Sequence, residues 1–418
     1  MTFTIRPDRP FIRSTYRSNR YLLVELTAPT SRRAPSREPL NTAFVLDRSG
    51  SMSGRKIALA RQAIDAAIGA LDGSDRFAVV AYDDRVEIVA PSAPASGPNR
   101  NAASRALAAI DARGSTNLFE GWMRGCAEVA QHQGEPGLAR VLLMSDGLAN
   151  IGVTDREELV RHAGELWRRG VATWTFGFGA DFDEDLMERM AHAGGGQSFY
   201  VEHPEQIRDH VTNAVGEALD VVARDVVLHV EAPEGVIVEP LSLFRHHKVA
   251  GATIVELGDL VSDQELRLVL KVNLPFGRDG DLVGIRVTLR DRDGIFISEE
   301  AGARWTYADG VTNDRQPRDR DVDREVARLY AARARKEAVQ ANRAGRYADA
   351  DQAMRGVARR IRGYAGSDPE MNALIAELEQ EQLQVRHAMA APMQKEMHYR
   401  SSYVERGRDP MGKARKNI

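Results

Sequence analysis

A short apolar stretch that ends in closely spaced oxygen-bearing side chains constrains this chain most. Residues 43–46 have the pattern of a buried strand, and Asp47, Ser49 and Ser51 follow within one glycine-rich turn, before a helical pattern begins near Arg55. Three such side chains at the end of a strand suit a hard divalent cation, because Mg²⁺ takes oxygen ligands in a tight octahedron. The turn therefore predicts part of a cation site.

Strands and amphipathic helices alternate from residue 41 onward. The apolar pattern predicts strands at 42–47, 77–82, 86–89, 139–144, 171–178 and 198–201, and helices at 55–71, 99–112, 118–130, 156–168, 184–193 and 204–222. The turn between the second and third strands spans only residues 83–85, so the third strand is expected to run antiparallel to the second. The fold class expected here is α/β, a doubly wound and mainly parallel sheet covered on both faces.

Two further oxygen side chains are expected at the same edge of this sheet. Asp146 follows the strand predicted at 139–144, and Thr116 lies in the loop 114–117 that opens a helix. Sites in sheets of this kind lie outside the carboxyl ends of the strands. The candidate metal ligands are Asp47, Ser49, Ser51, Thr116 and Asp146.

The rest of the chain divides into other patterns. From residue 224 the apolar period becomes two, with strands expected near 226–230, 236–238, 252–257, 266–272, 283–289 and 295–298, which predicts an antiparallel β-sandwich. The sequence around His246 and His247 is expected to be a turn of that sandwich. Helices are expected at 322–341, 348–362 and 370–389.

The expected domains follow from these patterns. They are residues 1–40 (N-terminal strands and a proline-rich linker), 41–222 (the α/β domain), 223–310 (the sandwich), 318–390 (a helical domain) and 391–418 (a flexible basic tail). Strands expected in residues 2–26 need a sheet to join. Either they belong to the sandwich, so that the α/β domain is an insertion, or they extend an edge of the α/β sheet.

Composition narrows the possible functions. A formal net charge of −3 argues against a nucleic-acid-binding surface over the whole chain. The single cysteine, Cys126, excludes an intramolecular disulfide and a cysteine-rich zinc module. The sequence contains no apolar run of the length that a membrane span or a signal peptide needs. We therefore expect a cytoplasmic protein with no membrane span and no nucleic-acid partner.

The order of the five candidate ligands resembles the von Willebrand factor type A family. In that family a metal-ion-dependent adhesion site consists of Asp-x-Ser-x-Ser, a threonine in a Gly-Gly-Thr-Asn-like loop and a later aspartate; this chain differs at Ser115, where glycine is frequent. The resemblance implies that the hydroxyls bind Mg²⁺, with Mn²⁺ or Ca²⁺ as alternatives, and that both aspartates act largely through water. It also implies a protein partner that presents an Asp or Glu, and it suggests a partner system with a MoxR-type AAA+ ATPase.

Three functional hypotheses remain open on the sequence. The preferred one is an intracellular, metal-dependent protein-interaction module. The second is a structural or assembly subunit in which the metal only stabilises the fold. The third, a metal-dependent hydrolase, needs a positioned base, and neither a histidine near the five ligands nor a Gly-x-Ser-x-Gly motif accompanies them, so the chain is expected not to be an enzyme.

Overall fold

The chain forms two compact units in a computed structural model that describes residues 2–30, 37–132, 137–294 and 300–416. The inserted unit is drawn from residues 37–220, and the two-sheet unit from residues 2–30 and 221–416. The strands are β1 (Thr2–Pro7), β2 (Phe11–Arg13), β3 (Ser18–Thr27), β4 (Leu40–Asp47), β5 (Arg76–Tyr82), β6 (Val86–Pro94), β7 (Leu138–Ser145), β8 (Val171–Phe178), β9 (Gly195–Val201), β10 (Val221–Glu231), β11 (Ile237–Pro240), β12 (Arg245–Val249), β13 (Ala252–Val261), β14 (Glu265–Leu274), β15 (Leu282–Arg290) and β16 (Ala301–Ala308). The α-helices are α1 (Arg55–Ala70), α2 (Gly97–Ala108), α3 (Leu118–Ala130), α4 (Arg156–Arg168), α5 (Glu184–Ala193), α6 (Ile207–Leu219), α7 (Gly310–Arg315), α8 (Arg320–Arg343), α9 (Tyr347–Ala365), α10 (Pro369–Val385) and α11 (Ala391–Glu405).

The inserted unit has the mainly parallel sheet that the alternating pattern predicts. Its strand order is β6-β5-β4-β7-β8-β9, and every pair is parallel except β5 with β6. The antiparallel pair confirms the expectation from the short turn at 83–85. The apolar residues Ala43–Leu46 are completely buried in the central strand β4, as a strand covered on both faces requires.

Helices cover both faces of this sheet. Apolar residues of α1, α2 and α6 form one buried cluster with the side chains on one face of the sheet. Helix α3 packs against β4, β5 and β7. It approaches them closely because Gly125 faces the sheet, where an added Cβ would lie 2.2 Å from Cγ2 of Val45.

The two-sheet unit joins the beginning of the chain to its second half. One sheet has the order β1-β3-β14-β11 and the other β12-β13-β10-β15-β16-β2. Side chains of both sheets, such as Leu22 and Leu268 from the first and Leu228 and Val287 from the second, belong to one buried apolar cluster. The N-terminal strands β1 and β3 therefore pair within this unit, β3 along the whole of β14, and the inserted unit interrupts it in sequence.

Several details differ from the sequence-based expectation. Residues 245–249, expected as a turn around His246, form the edge strand β12. Its side chains are mostly exposed and polar, so the sequence lacks the apolar alternation of a half-buried strand. The sequence also predicted no strand at Ala301–Ala308, where β16 pairs antiparallel with β15 and parallel with the three-residue β2. The strand expected at 295–298 lies outside the described residues.

The C-terminal helices belong to the same unit, and α8 packs on the four-stranded sheet. Leu23 and Val269 of that sheet contact Val326 and Leu329 of α8 in one buried cluster. Within the described residues, no helix is long and apolar enough to cross a membrane.

The expectation of a flexible tail over 391–418 is wrong for the part that the structure describes. Residues 391–405 form α11, which buries Met397, Tyr399 and Tyr403. The chain then pairs again with the sheet, where Glu265 N donates to Arg415 O at 2.8 Å. The abundance of basic residues concealed a helix with apolar anchors.

Candidate metal centre

The parallel pairing of β4 and β7 brings Asp47 next to Ser145. Leu46 pairs with Met144, so the two following residues end their strands side by side. Ser145 Oγ donates to Asp47 Oδ2 at 2.6 Å, and the backbone N of Ser49 donates to Asp47 Oδ1 at 2.8 Å. Both oxygens of the Asp47 carboxylate are therefore oriented by neighbouring groups.

Ser49 and Ser51, in the loop that follows β4, connect to Asp146, in the loop that follows β7. Ser49 Oγ lies 3.1 Å from Ser51 Oγ, and Ser51 Oγ donates to Asp146 Oδ1 at 2.6 Å. Both aspartates are completely buried. The structure therefore brings together Asp47, Ser49, Ser51 and Asp146.

Thr116 reaches the same place from a third loop. A Cβ added to Gly147 would lie 3.4 Å from Thr116 Oγ1 and 3.8 Å from Ser51 Oγ, so both hydroxyls face Gly147. The side chain of Asn150 accepts from Thr116 N at 3.0 Å and fixes the threonine backbone. All five predicted residues thus lie around one point at the carboxyl ends of β4 and β7.

Two glycines allow the loop that follows β4 to approach the loop that leads to Thr116. Gly50 N donates to Gly114 O at 3.1 Å. Gly114 has a φ of 68°, which favours glycine, and an added Cβ there would lie 2.2 Å from Oδ1 of Asp84. The serine at 115 is exposed and leaves the buried position of Thr116 intact.

Arg48, the residue between Asp47 and Ser49, ties the loops together. Its Nε donates to Asp83 Oδ2 at 2.9 Å, and Arg113 Nε donates to the same oxygen at 2.8 Å. Arg48 O also accepts from Arg113 N at 2.6 Å. Asp83 therefore joins the loop of the two serines to the loop that leads to Thr116.

Lys56 is the cation that contacts the candidate ligands. It is the second residue of α1, and its Nζ lies 2.5 Å from Asp146 Oδ2 and 3.3 Å from Ser51 O. Asp47, by contrast, forms no ion pair with any residue that the structure describes.

Burial explains the electrostatics of Asp47. Exclusion from water disfavours its charged form and raises its pKa to about 6, although the hydrogen bonds from Ser145 and Ser49 act in the opposite direction. A buried carboxylate of this kind is stabilised when a cation lies beside it. The pairing of Lys56 with Asp146 leaves the Asp47 charge to be balanced.

The donor set fits a hard divalent cation. Two buried carboxylates and three hydroxyls supply oxygen ligands only, which is the chemistry that Mg²⁺ and Mn²⁺ accept. In the described part of the chain, no group of three or more His, Cys, Asp or Glu side chains has the arrangement of a metal site. The five-residue set contains only two such side chains, so its hydroxyls have to supply the remaining protein ligands.

Sequence reasoning missed the residues that support this set. Arg48 occupies the variable position of the Asp-x-Ser-x-Ser motif, and its contact with Asp83 spans 35 positions, which no periodic pattern reveals. The sequence held a weak signal for Lys56. Arg55 and Lys56 stand in the first turn of a helix, where positive charge is unfavourable because the helix dipole is positive there, so a nearby carboxylate is expected to compensate.

Comparisons with known proteins show what this chain is similar to. The model of the von Willebrand factor type A domain matches residues 41–213. An uncharacterised protein of Synechocystis is 29% identical over 248 residues, which are 57% of this chain and 58% of that protein.

Two solved structures share the fold over nearly the whole chain. A von Willebrand factor type A protein from Catenulispora acidiphila has a TM-score of 0.70 at 17% identity and covers 92% of this chain and 89% of its own. The ArnB paralog VWA2 from Sulfolobus acidocaldarius has a TM-score of 0.60 at 14% identity and covers 97% of both chains.

Proposed function

From the premise that residues 41–213 are a von Willebrand factor type A domain, we propose that the chain is a protein-interaction module that depends on a divalent metal. Asp47, Ser49, Ser51, Thr116 and Asp146 would hold the ion. The observation that carries the proposal is the convergence of these five oxygen side chains from three loops, with the buried Asp47 free of any ion pair among the described residues.

The ligand class follows from the charges of the set. Two carboxylates balance one dication, and hydroxyl ligands add no charge, so the ion when bound supplies a position that attracts one more carboxylate. Ser51 is exposed while both aspartates are buried, so a partner approaches from the side of the serine. The proposed partner is a protein with an exposed Asp or Glu; a MoxR-type AAA+ ATPase is a candidate on resemblance alone.

A titration with Mg²⁺ and with Mn²⁺ tests the metal site. Isothermal titration calorimetry of the whole chain should show one site, and Asp47→Ala or Thr116→Ala should abolish it. Asp111→Ala is the matched control because this carboxylate is 93% exposed and its ion pair is with Arg61, at 3.8 Å, not with any of the five ligands. Binding that survives in Asp47→Ala contradicts the site.

A partner assay distinguishes the proposed interaction module from the second hypothesis, in which the metal only stabilises the fold. Proteins retained by the wild-type chain in Mg²⁺ should be lost after EDTA, lost with Asp47→Ala, and kept with Asp111→Ala. Retention in all three conditions, together with a lower melting temperature in EDTA, would favour the structural role. Mg²⁺-dependent turnover that Thr116→Ala abolishes would favour a hydrolase.

A further inference from the structure

Lys56 and Asp146 form an ion pair that is largely removed from water. The Lys56 side chain is 27% exposed and the Asp146 side chain is completely buried, with 2.5 Å between Nζ and Oδ2. The ammonium also donates to Ser51 O, within the loop that carries both serines. One of the two carboxylates of the candidate metal centre thus already has a cation.

The position of Lys56 is unfavourable for a cation apart from this contact. It lies in the first turn of α1, where the helix dipole is positive, and that turn holds no acidic residue. Helix α1 also has no side-chain N-cap, since Gly54 precedes it. Asp146 is therefore the group that compensates the ammonium at this end of the helix.

We propose that Lys56 is an internal competitor of the divalent cation. This inference rests on the proposed function. In the structure the ammonium holds Asp146, and it has to leave that carboxylate before a dication can use it. Lys56 therefore lowers the affinity of the site and sets the metal concentration at which the site fills. A role in which Lys56 only orients Asp146 predicts the opposite, since its removal would then weaken metal binding.

The experiment measures Mn²⁺ affinity of the full chain by isothermal titration calorimetry, with the melting temperature in EDTA and in Mn²⁺ as a second readout. Lys56→Met removes the charge and keeps an unbranched side chain only one heavy atom shorter. Lys56→Gln keeps a donor for Ser51 O if the methionine variant fails to fold. Lys56→Arg keeps the charge. The matched control is Arg55→Met, because Arg55 is the adjacent cation but is 76% exposed and pairs with Glu205.

We expect Lys56→Met and Lys56→Gln to bind Mn²⁺ about tenfold more tightly than the wild type, which corresponds to about 1.4 kcal/mol. Arg55→Met should change the affinity by less than about threefold, because the exposed charge of Arg55 is screened in the wild type. Both Lys56 variants should melt lower in EDTA and gain more from Mn²⁺ than the wild type, and Lys56→Arg should stay near the wild type. Equal or weaker binding by Lys56→Met and Lys56→Gln overturns the inference while the metal site stands. An equal gain in Arg55→Met also overturns it. If the wild type and all variants fail to bind Mn²⁺, the proposed function fails and Lys56 has no metal to compete with.

Discussion

Arg48 donates a hydrogen bond from Nε to Oδ2 of Asp83 at 2.9 Å, in an ion pair whose side chains are 5% and 0% exposed. Arg113 donates to the same oxygen, and Asp83 O accepts from Asn117 N at 2.8 Å, immediately after Thr116. The carboxylate and the backbone carbonyl of Asp83 therefore hold together the loops that carry the two serines and the threonine. The geometry of the candidate metal centre depends on a residue that is not one of its ligands.

Asp83→Asn should lower both stability and metal affinity. Removal of one partner of a buried ion pair leaves the other charge uncompensated, which destabilises a protein by about 3 kcal/mol. Arg48 keeps a second pair with Glu87, so the loss should not exceed that value. Urea unfolding measures the stability, and Mn²⁺ titration measures the affinity.

Asp84→Asn is the matched control for this change. Asp84 is the next residue and is exposed, so its neutralisation alters the local charge equally without breaking the buried pair. Its free energy of unfolding should stay within about 0.5 kcal/mol of the wild type. Equal losses in the two variants would show that Asp83 acts only through the local charge.

The extent to which the sequence predicts this site differs from residue to residue. Asp47 and Asp146 follow apolar strands, so the rule for carboxyl ends of parallel strands predicts their meeting. Thr116 lies in a loop without a periodic pattern, and the family resemblance supported its inclusion. Arg48 has no signature of its own and Lys56 has only a weak one, because their roles come from contacts across 35 and 90 positions.

The fold was predictable where burial imposes a period. Strands and helices of the inserted unit agree with the pattern within a few residues at most ends, since both faces of the sheet are covered. In the two-sheet unit, the sequence did not predict β12 because its side chains are mostly exposed and polar, and it did not predict β2 because that strand has only three residues. Short or solvated strands are stabilised by pairing, which a single sequence does not display.

Gly125→Ala should destabilise the inserted unit. Helix α3 lies so close to the sheet that an added Cβ would be 2.2 Å from Cγ2 of Val45 and 3.4 Å from Cγ1 of Val141. Overpacking of this kind costs about 1–3 kcal/mol, more than the about 1 kcal/mol that alanine gains over glycine in a helix. Urea unfolding measures the difference.

The matched variant is Gly69→Ala in α1. Gly69 is exposed, and nothing lies within 4 Å of an added Cβ. Only the helix propensity changes, so this variant should be more stable than the wild type by about 0.5–1 kcal/mol. A gain in both variants would mean that α3 can move away from the sheet without loss.

Asp8 should make the stability of the two-sheet unit depend on pH. Its carboxyl is buried, and burial raises its pKa although Tyr21 N and Arg9 donate to it. A raised pKa means that the folded state holds the proton more tightly than the unfolded state, whose pKa is about 3.9. The stabilisation is therefore present below that pH and is lost as the pH rises through the folded-state pKa.

Asp8→Asn isolates this contribution because asparagine does not titrate. Urea unfolding at pH 4.5, 5.5 and 7 gives the free energy of unfolding of the variant minus that of the wild type. This difference should increase with pH, whatever constant offset the amide introduces. A difference that stays constant or decreases with pH would mean that the pKa of Asp8 is not raised by folding.

Tyr399→Ala tests the role of the C-terminal helix α11. The tyrosine is 2% exposed, and α11 packs against α8, so its truncation leaves a cavity. Removal of a buried aromatic side chain costs about 3–5 kcal/mol, and thermal unfolding should reveal a loss of that order.

Arg400→Ala is the matched control. It removes an exposed ion pair with Glu377 from the next position, a contribution of at most about 1 kcal/mol. If residues 391–405 were a flexible tail, both substitutions would leave the melting temperature unchanged, and their amide hydrogens would exchange at the rate of an unfolded chain.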